Sequence, residues 1–563
     1  MFRQLSKTVV ILLLSLPIIF LSLFFFYPLL TIFQISFIPK GTLDLSGFMA
    51  LIERPSYRDI IAFTFWQAML STCLTLLAGL PAAYAFARYR FAGKTILRAL
   101  LTVPFVLPTV VVATAFLALF GPRSRLNLGL ISLFNLDAPP INLQHTLTLI
   151  FLAHIFYNIT VVIRLVGGFW ASLDPKLEEA AALLGAPPWK VFREVTFPLL
   201  LPALGAAALL IFLFTFTSFG VILILGGPHF STLEVEIYRQ AVNYFNLPLA
   251  AALSLLQMGF TFLLMTFYTR LQARAALPLE LRSQRSVEKT AHSWHSRLFL
   301  LFAVGLPTLF VLSPLIALVE RSVSLGDGVS LQYYLLLAEN ERRTVVSHAP
   351  LFAVRNSLLF AGATTVISLL LGTLSAYLLA PPKRRKARAA WRTWLDPIFL
   401  LPLGTSAVTL GFGFIVALDE PPLNLRTSIV LIPIAHSLIA FPFVVRSILP
   451  VLRSLNPALR EAAAVLGATS LRLLREIDLP ILARPILVGA VFAFAVSMGE
   501  FGATSLIKRP EWPTMPVIIF EFLGRPGISN YGRALAMSVI LMLVTAVGFV
   551  VIERFRVDDL GEF

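Results

Sequence analysis

The residues best placed to do chemistry in this 563-residue chain form a repeated pattern rather than a catalytic cluster. Glu179-Ala180-Ala181 is followed by Gly185, and Glu461-Ala462-Ala463 by Gly467. The copies lie 282 residues apart, and each has a proline at the same distance downstream, Pro198 and Pro480. Docking is the chemistry such a pattern offers. Alanine side chains leave a smooth surface that a partner can approach closely, and Glu179 and Glu461 could pair with a basic group on the partner or on the same segment. A chain that carries one docking element twice suits a partner that is itself two-fold.

Other chemistry-bearing residues are few. Arg164 and Arg446 fall near equivalent ends of two matching apolar runs, where each reads either as a side chain reaching the interface or as part of a gate. His154 and His436 are symmetric and mid-run, which suits helix packing or a ligand. Glu500 stands where the other half has Ser218. A carboxylate there could help a cationic solute across, or could serve as a hydrogen-bonded structural group. Glu234, Glu236 and Glu521 read as solvated charges at an outer mouth, able to meet a cation or a binding protein. Cys73, the only cysteine, reads as a small buried apolar residue. Gly93-Lys94-Thr95 lacks the glycine that a phosphate-binding loop requires five positions earlier, where Arg88 stands. The chain should therefore bind no ATP, and no nucleophile–base pairing marks it as an enzyme.

These residues must be positioned by a membrane scaffold. The chain is 58% hydrophobic and only 13% charged, with a mean hydropathy of +0.86, whereas soluble domains are about a quarter charged. Runs of about 20 apolar residues cross a bilayer as helices that satisfy their own backbone groups. Twelve such spans are expected, at roughly 9–33, 60–87, 98–120, 145–170, 199–226 and 248–270, then roughly 298–319, 353–380, 394–417, 428–450, 482–507 and 532–553. The first follows Arg3 and Lys7 and reads as a retained span rather than a cleaved leader. Basic residues concentrate in alternate loops, including Arg88, Arg90, Lys94 and Arg98, Arg270 to Arg297, and the dense run from Lys383 to Arg388. By the positive-inside rule these loops and both termini are cytoplasmic. The net charge of +16 is thus membrane topology and not a nucleic-acid surface.

The duplication runs well beyond the short pattern. At the offset of 282, Ala153-His154 matches Ala435-His436, Arg164 matches Arg446, Asp174-Pro175 matches Asn456-Pro457, and Phe219-Gly220 matches Phe501-Gly502. Ala83-Tyr84 matches Ala376-Tyr377 at a larger offset. An all-α integral membrane protein follows, built as two parallel six-helix repeats. Residues 1–275 form the first repeat, 276–297 a basic linker and 298–563 the second. Each repeat carries a helical hairpin, at 174–198 and 456–480. Asp174 and Asn456 suit an N-cap, Pro175 and Pro457 the first helical position, and Gly185 and Gly467 a left-handed helix end. A second helix would show an apolar stripe of Trp189, Phe192 and Val195, or of Leu471, Leu474 and Ile477.

Glu179-Ala180-Ala181-x₃-Gly185-x₉-Val195-x-Phe197-Pro198, and its twin ending Ile477-x-Leu479-Pro480, resemble the motif of binding-protein-dependent ABC importer permeases of type I. The resemblance covers nearly the whole chain as two fused permease domains. It implies that both hairpins are coupling helices seated in grooves of two cytoplasmic ATPase subunits, which bind the ATP. It also implies delivery by a periplasmic or lipid-anchored solute-binding protein, a bacterial inner-membrane location and no cofactor in the chain itself. Phe65-Trp66-Gln67-Ala68, the stretch Ala153 to Asn158 and the stretch Phe219 to Tyr238 look most like the fused thiamine permease group, with the ferric-iron group as the alternative. A secondary transporter with two six-span halves should carry a Gly/Asp/Arg signature after its second span. The loop here reads Arg88-Tyr89-Arg90-Phe91-Ala92-Gly93-Lys94, which lacks it.

Overall fold

Among the residues described by the computed structural model of the chain, eleven helices are long and apolar enough to cross a membrane, and one sharply bent pair makes a twelfth if it counts as one span. The described residues are 7–39, 41–122, 124–275, 288–325, 328–339, 349–380, 397–421 and 423–555. The basic run from Lys383 to Arg388, Arg3 and most of the 276–297 linker lie outside the described residues.

Several expected spans are interrupted. The third is not one helix over 98–120 but two, Lys94–Val106 and Thr109–Phe120. Leu107, which precedes Pro108, takes an extended conformation, because the proline ring crowds the helical one. Its counterpart at 394–417 is the bent pair Pro397–Gly404 and Ala407–Ala417, which meet at 98°. Ser406 turns the corner by accepting the Val408 and Thr409 backbone N–H groups, which restarts the helix. The fifth spans also stop early. Phe197–Phe216 and Leu479–Gly499 end before the expected 226 and 507, and the chain resumes as separate short segments, Gly502–Ile507 in the second half. Ser218 and Glu500 sit at these breaks.

The helix Pro55–Arg88 is the longest among the described residues. At about 1.5 Å per residue it extends about 50 Å, against a hydrocarbon core of about 30 Å. At least one of its ends therefore projects beyond the apolar layer. Just past Arg88, Tyr89–Arg90 pairs in parallel with Lys289–Thr290, and Lys94 Nζ lies 2.7 Å from Glu288 Oε1. The described end of the linker is thus fastened to the loop after the second span.

The chain folds as two compact units that do not follow the sequence repeats. One gathers the described parts of Met1–Ala50, Glu236–Met258 and Leu331–Val557; the other gathers Leu51–Val235 and Gly259–Ser330. The first span of each repeat has therefore exchanged places. Leu12–Phe37 packs among second-repeat helices, where Phe20 meets Phe441 edge-on at 6.4 Å and Pro28 lies against Gly413. Reciprocally, Trp294–Ser322 packs among first-repeat helices, with Phe310 against Phe116 and Phe156 at 6.2 and 6.3 Å.

Within each unit the repeat is visible in packing as well as in sequence. A Cβ on Gly79 would lie 2.7 Å from Val162 Cβ, and a Cβ on Gly372 would lie 2.6 Å from Val444 Cβ. Both pairs join the second span of a half to its fourth. Close backbone approach through a glycine is how helices gain contact in a solvent as apolar as they are. The bilayer also explains Cys73. It is exposed rather than buried, since an apolar side chain on a spanning helix gains nothing by avoiding lipid.

Candidate functional site

Asp174 opens the first hairpin by accepting the Lys176 backbone N–H at 3.1 Å. Pro175 takes the first helical position, where its missing N–H is no loss, and the helix runs Pro175–Leu183. Gly185 ends it at φ +84°, a conformation that costs a side-chain-bearing residue roughly 1 kcal/mol. Its N–H donates to Ala182 O at 2.9 Å and that of Ala186 to Ala181 O at 3.2 Å, the paired bonds of a Schellman cap.

Every one of these features recurs. Asn456 accepts the Ala458 N–H at 3.0 Å, Pro457–Val465 is the helix, and Gly467 has φ +80°. The Gly467 and Ala468 N–H groups donate to Ala464 O and Ala463 O at 3.1 and 2.9 Å. The expected second helix is continuous with the next span, because the candidate span begins at Pro188 in the first half. A π-turn joins the two parts, Phe192–Thr196 in one copy and Leu474–Asp478 in the other. Pro198 and Pro480 supply the reason. With no N–H to give, each leaves the carbonyl four residues earlier without its helical donor, and widening the turn accommodates this.

What the hairpins present outward is apolar as well as charged. Glu179 and Ala180 are exposed, Ala181 is half-buried, and Glu461, Ala462 and Ala463 follow the same pattern. Beyond them, Leu184 and Leu466 stand 89% and 86% exposed, next to exposed Leu183 and Val465. A pair of large apolar side chains at the tip of a polar hairpin is a ready anchor for a partner's pocket. Sequence reasoning missed these four, because an apolar residue beside a glycine reads as part of a helix's inner face.

It also missed how the hairpins are held. Glu178, not Glu179, ties the first hairpin inward: Arg88 Nη2 lies 3.2 Å from Glu178 Oε1, and the Thr196 hydroxyl donates to the same oxygen at 2.9 Å. Arg88 Nη1 also donates to Leu173 O, just before the cap, at 3.3 Å. In the second hairpin the charges are transposed. Arg460, the twin of Glu178, donates to Asp478 Oδ1 at 2.9 Å, and Asp478 is the twin of Thr196. The Tyr377 hydroxyl reaches Asp478 Oδ2 at 3.4 Å. The signal was available, since positions 178 and 460 hold opposite charges at the repeat offset.

Deeper in each half a buried histidine links the fourth span to the broken fifth. His154 Nδ1 lies 2.8 Å from Ser71 Oγ, and its Nε2 lies 3.0 Å from Ser218 Oγ at the broken fifth span. His436 Nδ1 lies 2.7 Å from Ser497 Oγ, whose hydroxyl continues to Thr364 at 3.3 Å. Its Nε2 is 2.8 Å from Thr504 Oγ1 and 3.3 Å from Glu500 Oε2. Glu500 is itself buried and accepts the Ala503 and Thr504 backbone N–H groups at 2.7 and 2.9 Å, together with the Thr504 hydroxyl. Its carboxylate thus secures the start of Gly502–Ile507, a hydrogen-bonded role of the kind the sequence left open.

Arg164 and Arg446 are both half-buried; Arg164 lies within a π-turn, Val162–Val166, that the second half lacks. The solvated-loop reading fails for Glu234 and Glu236. Both belong to the helix Leu233–Tyr238 and are buried, and Gln240 donates to Glu236 at 2.6 Å. Glu521 is partly exposed and takes Lys508 at 2.8 Å.

Residues 75–277 and 368–556 each match the family described as binding-protein-dependent transport system inner membrane component. The chain is 28% identical over 519 residues to the thiamine transport system permease protein of Salmonella typhimurium, covering 90% of this chain and 91% of that one. It is 28% identical over 503 residues to the protein of the same name from Escherichia coli K12, with 88% of each covered. The Haemophilus influenzae counterpart is 25% identical over 515 residues, with 90% of each covered.

Proposed function

Because the chain belongs to the binding-protein-dependent transport inner membrane component family, as a fused pair of its domains, we propose that it is the permease of a thiamine importer. Being an ABC importer permease, it is a multi-pass inner-membrane protein that works with an ATPase and a solute-binding protein and is not itself an enzyme. The substrate reading is carried by relatives named as thiamine transport permeases that align over about nine-tenths of both chains.

In this reading each hairpin seats one ATPase, so two copies assemble on one polypeptide. Glu179, Ala180, Ala181 and Gly185 make one docking surface, and Glu461, Ala462, Ala463 and Gly467 the other. Leu184 and Leu466 insert beside them. Both termini and the basic loops face the cytoplasm, and lipid surrounds the spans. ATP-driven approach of the ATPases draws the hairpins together and turns the pathway outward, where the binding protein releases substrate. Ser218 and Glu500 mark where the two halves of that pathway differ, and Arg164 and Arg446 act at its gate. The reading of two docking sites is supported by the repetition of cap, φ and Schellman bonds in both hairpins.

Uptake of labelled thiamine, with ferric iron as the competing substrate, tests the assignment in a strain deleted for the chain. Restoration of thiamine uptake by the intact gene is expected. Restored iron uptake alone would overturn the substrate while leaving the permease standing.

A further inference from the structure

We propose that Arg88, Glu178 and Thr196 in one half, and Tyr377, Arg460 and Asp478 in the other, are positioning residues that lock each docking helix to its own second and fifth spans, so that motion of the hairpin becomes motion of the membrane helices. This rests on the docking role of the hairpins.

A lever must be held where it meets its load, and the docking helices are not held by packing. Pro175–Leu183 buries no residue at all, and no described side chain of Pro457–Val465 is buried. Apolar contact therefore cannot fix either helix against the spans. The ties sit where that fixing is needed. Arg88 is the last residue of the second span, and Thr196 and Asp478 each close the π-turn from which the fifth span departs. Through Leu173 O and Glu178, the Arg88 guanidinium grips both the entry turn and the first turn of the hairpin.

Burial separates these ties from ordinary surface ion pairs, which contribute about 0–1 kcal/mol. Arg88 is 2% exposed and Asp478 is fully buried. Removing the partner of a charge so placed leaves it desolvated and unpaired, which is strongly unfavourable. The transposition points the same way. One half places the acid on the docking helix and the base on the second span. The other places the base on the docking helix and the acid at the root of the fifth span. The tie has been kept while its chemistry was exchanged, as expected if attachment matters and the sign does not. At the Arg88 position the second repeat has Pro381, outside the described residues. Its second-span contact comes from Tyr377 instead.

The test uses the full chain assembled with its ATPase and binding protein in proteoliposomes, reading substrate transported per ATP hydrolysed and ATPase retained on purification. Arg460→Gln and Asp478→Asn should keep the ATPase bound while lowering transport per ATP at least about fivefold. The double variant Arg460→Asp with Asp478→Arg should recover to within about twofold, because the Tyr377 hydroxyl can accept as readily as donate. Tyr377→Phe and Thr196→Val remove one oxygen each, threaten folding least, and should lower transport per ATP by about two- to threefold. Wild-type coupling in all four single variants overturns the proposal, as does a transposed double no better than its single parents. If the unaltered chain retains no ATPase, the docking reading itself fails, and this inference with it.

Discussion

The Glu500 carboxylate lies 3.3 Å from His436 Nε2, in the place where the other half sets the Ser218 hydroxyl 3.0 Å from His154 Nε2. One architecture, a histidine on the fourth span reaching the broken fifth, is thus closed by an anion on one side and a neutral group on the other. The other ring nitrogen also differs in partner, Ser71 on the second span in one half and Ser497 on the fifth in the other.

Glu500→Gln tests how much of that closure depends on the carboxylate. The amide can accept at only one of its two ends, so its NH₂ would face the Ala503 or Thr504 backbone N–H. A loss of about 1–3 kcal/mol is expected, read as a lower unfolding temperature of the purified protein. Ser218→Ala removes one hydroxyl and should cost less. Equal effects would show that the carboxylate contributes nothing particular.

Leu184→Asp and Leu466→Asp remove the exposed apolar tips without touching the spans. Each alone should weaken ATPase retention, and together they should abolish it, measured by co-purification. Retention by the double variant would locate docking elsewhere.

Gly185→Ala and Gly467→Ala meet no steric obstacle, since nothing lies within 4 Å of an added Cβ. Their cost is the positive φ alone, about 1–2 kcal/mol of local strain. Asparagine tolerates that backbone better, so Gly185→Asn should retain more ATPase than Gly185→Ala in a parallel pull-down.

Gly79→Ala and Gly372→Ala carry the opposite expectation. Each new methyl would fall within 2.7 Å of a valine Cβ on the fourth span, and overpacking of this kind costs about 1–3 kcal/mol. Thermal unfolding in detergent should show the two substitutions to be similar. A large difference would mean that the halves do not share this contact energetically.

The spans and both hairpins were legible in the sequence, because hydropathy, caps and the Gly and Pro spacing are local signals. The interruption of the 394–417 run was signalled by Pro397, Pro402 and its glycines. The one at Leu107 was not, because an apolar run looks the same whether it is straight or turns, and both forms remain buried in protein or lipid. Cys73 was misjudged for a related reason: in a bilayer, an apolar residue is as well placed outside the fold as within it. Glu234 and Glu236 looked solvated because nothing in a short acidic stretch reveals that its side chains are buried. The Arg88–Glu178 and Arg460–Asp478 ties join residues from separate helices, and their reversed polarity hides them from any comparison that seeks identity.

The exchange of first spans bears on how the chain is made. Leu12–Phe37 enters the bilayer early, yet the helices it packs against, Phe352–Leu379 and Ala407–Ala417, are more than 300 residues further along the message. At about 5–20 residues per second, that is a delay on the order of tens of seconds. Throughout it, lipid must stand in for the missing neighbours, and the newborn helix must neither aggregate nor be degraded. Synthesis of this permease therefore includes a waiting period that a chain folding strictly in order of emergence would not have.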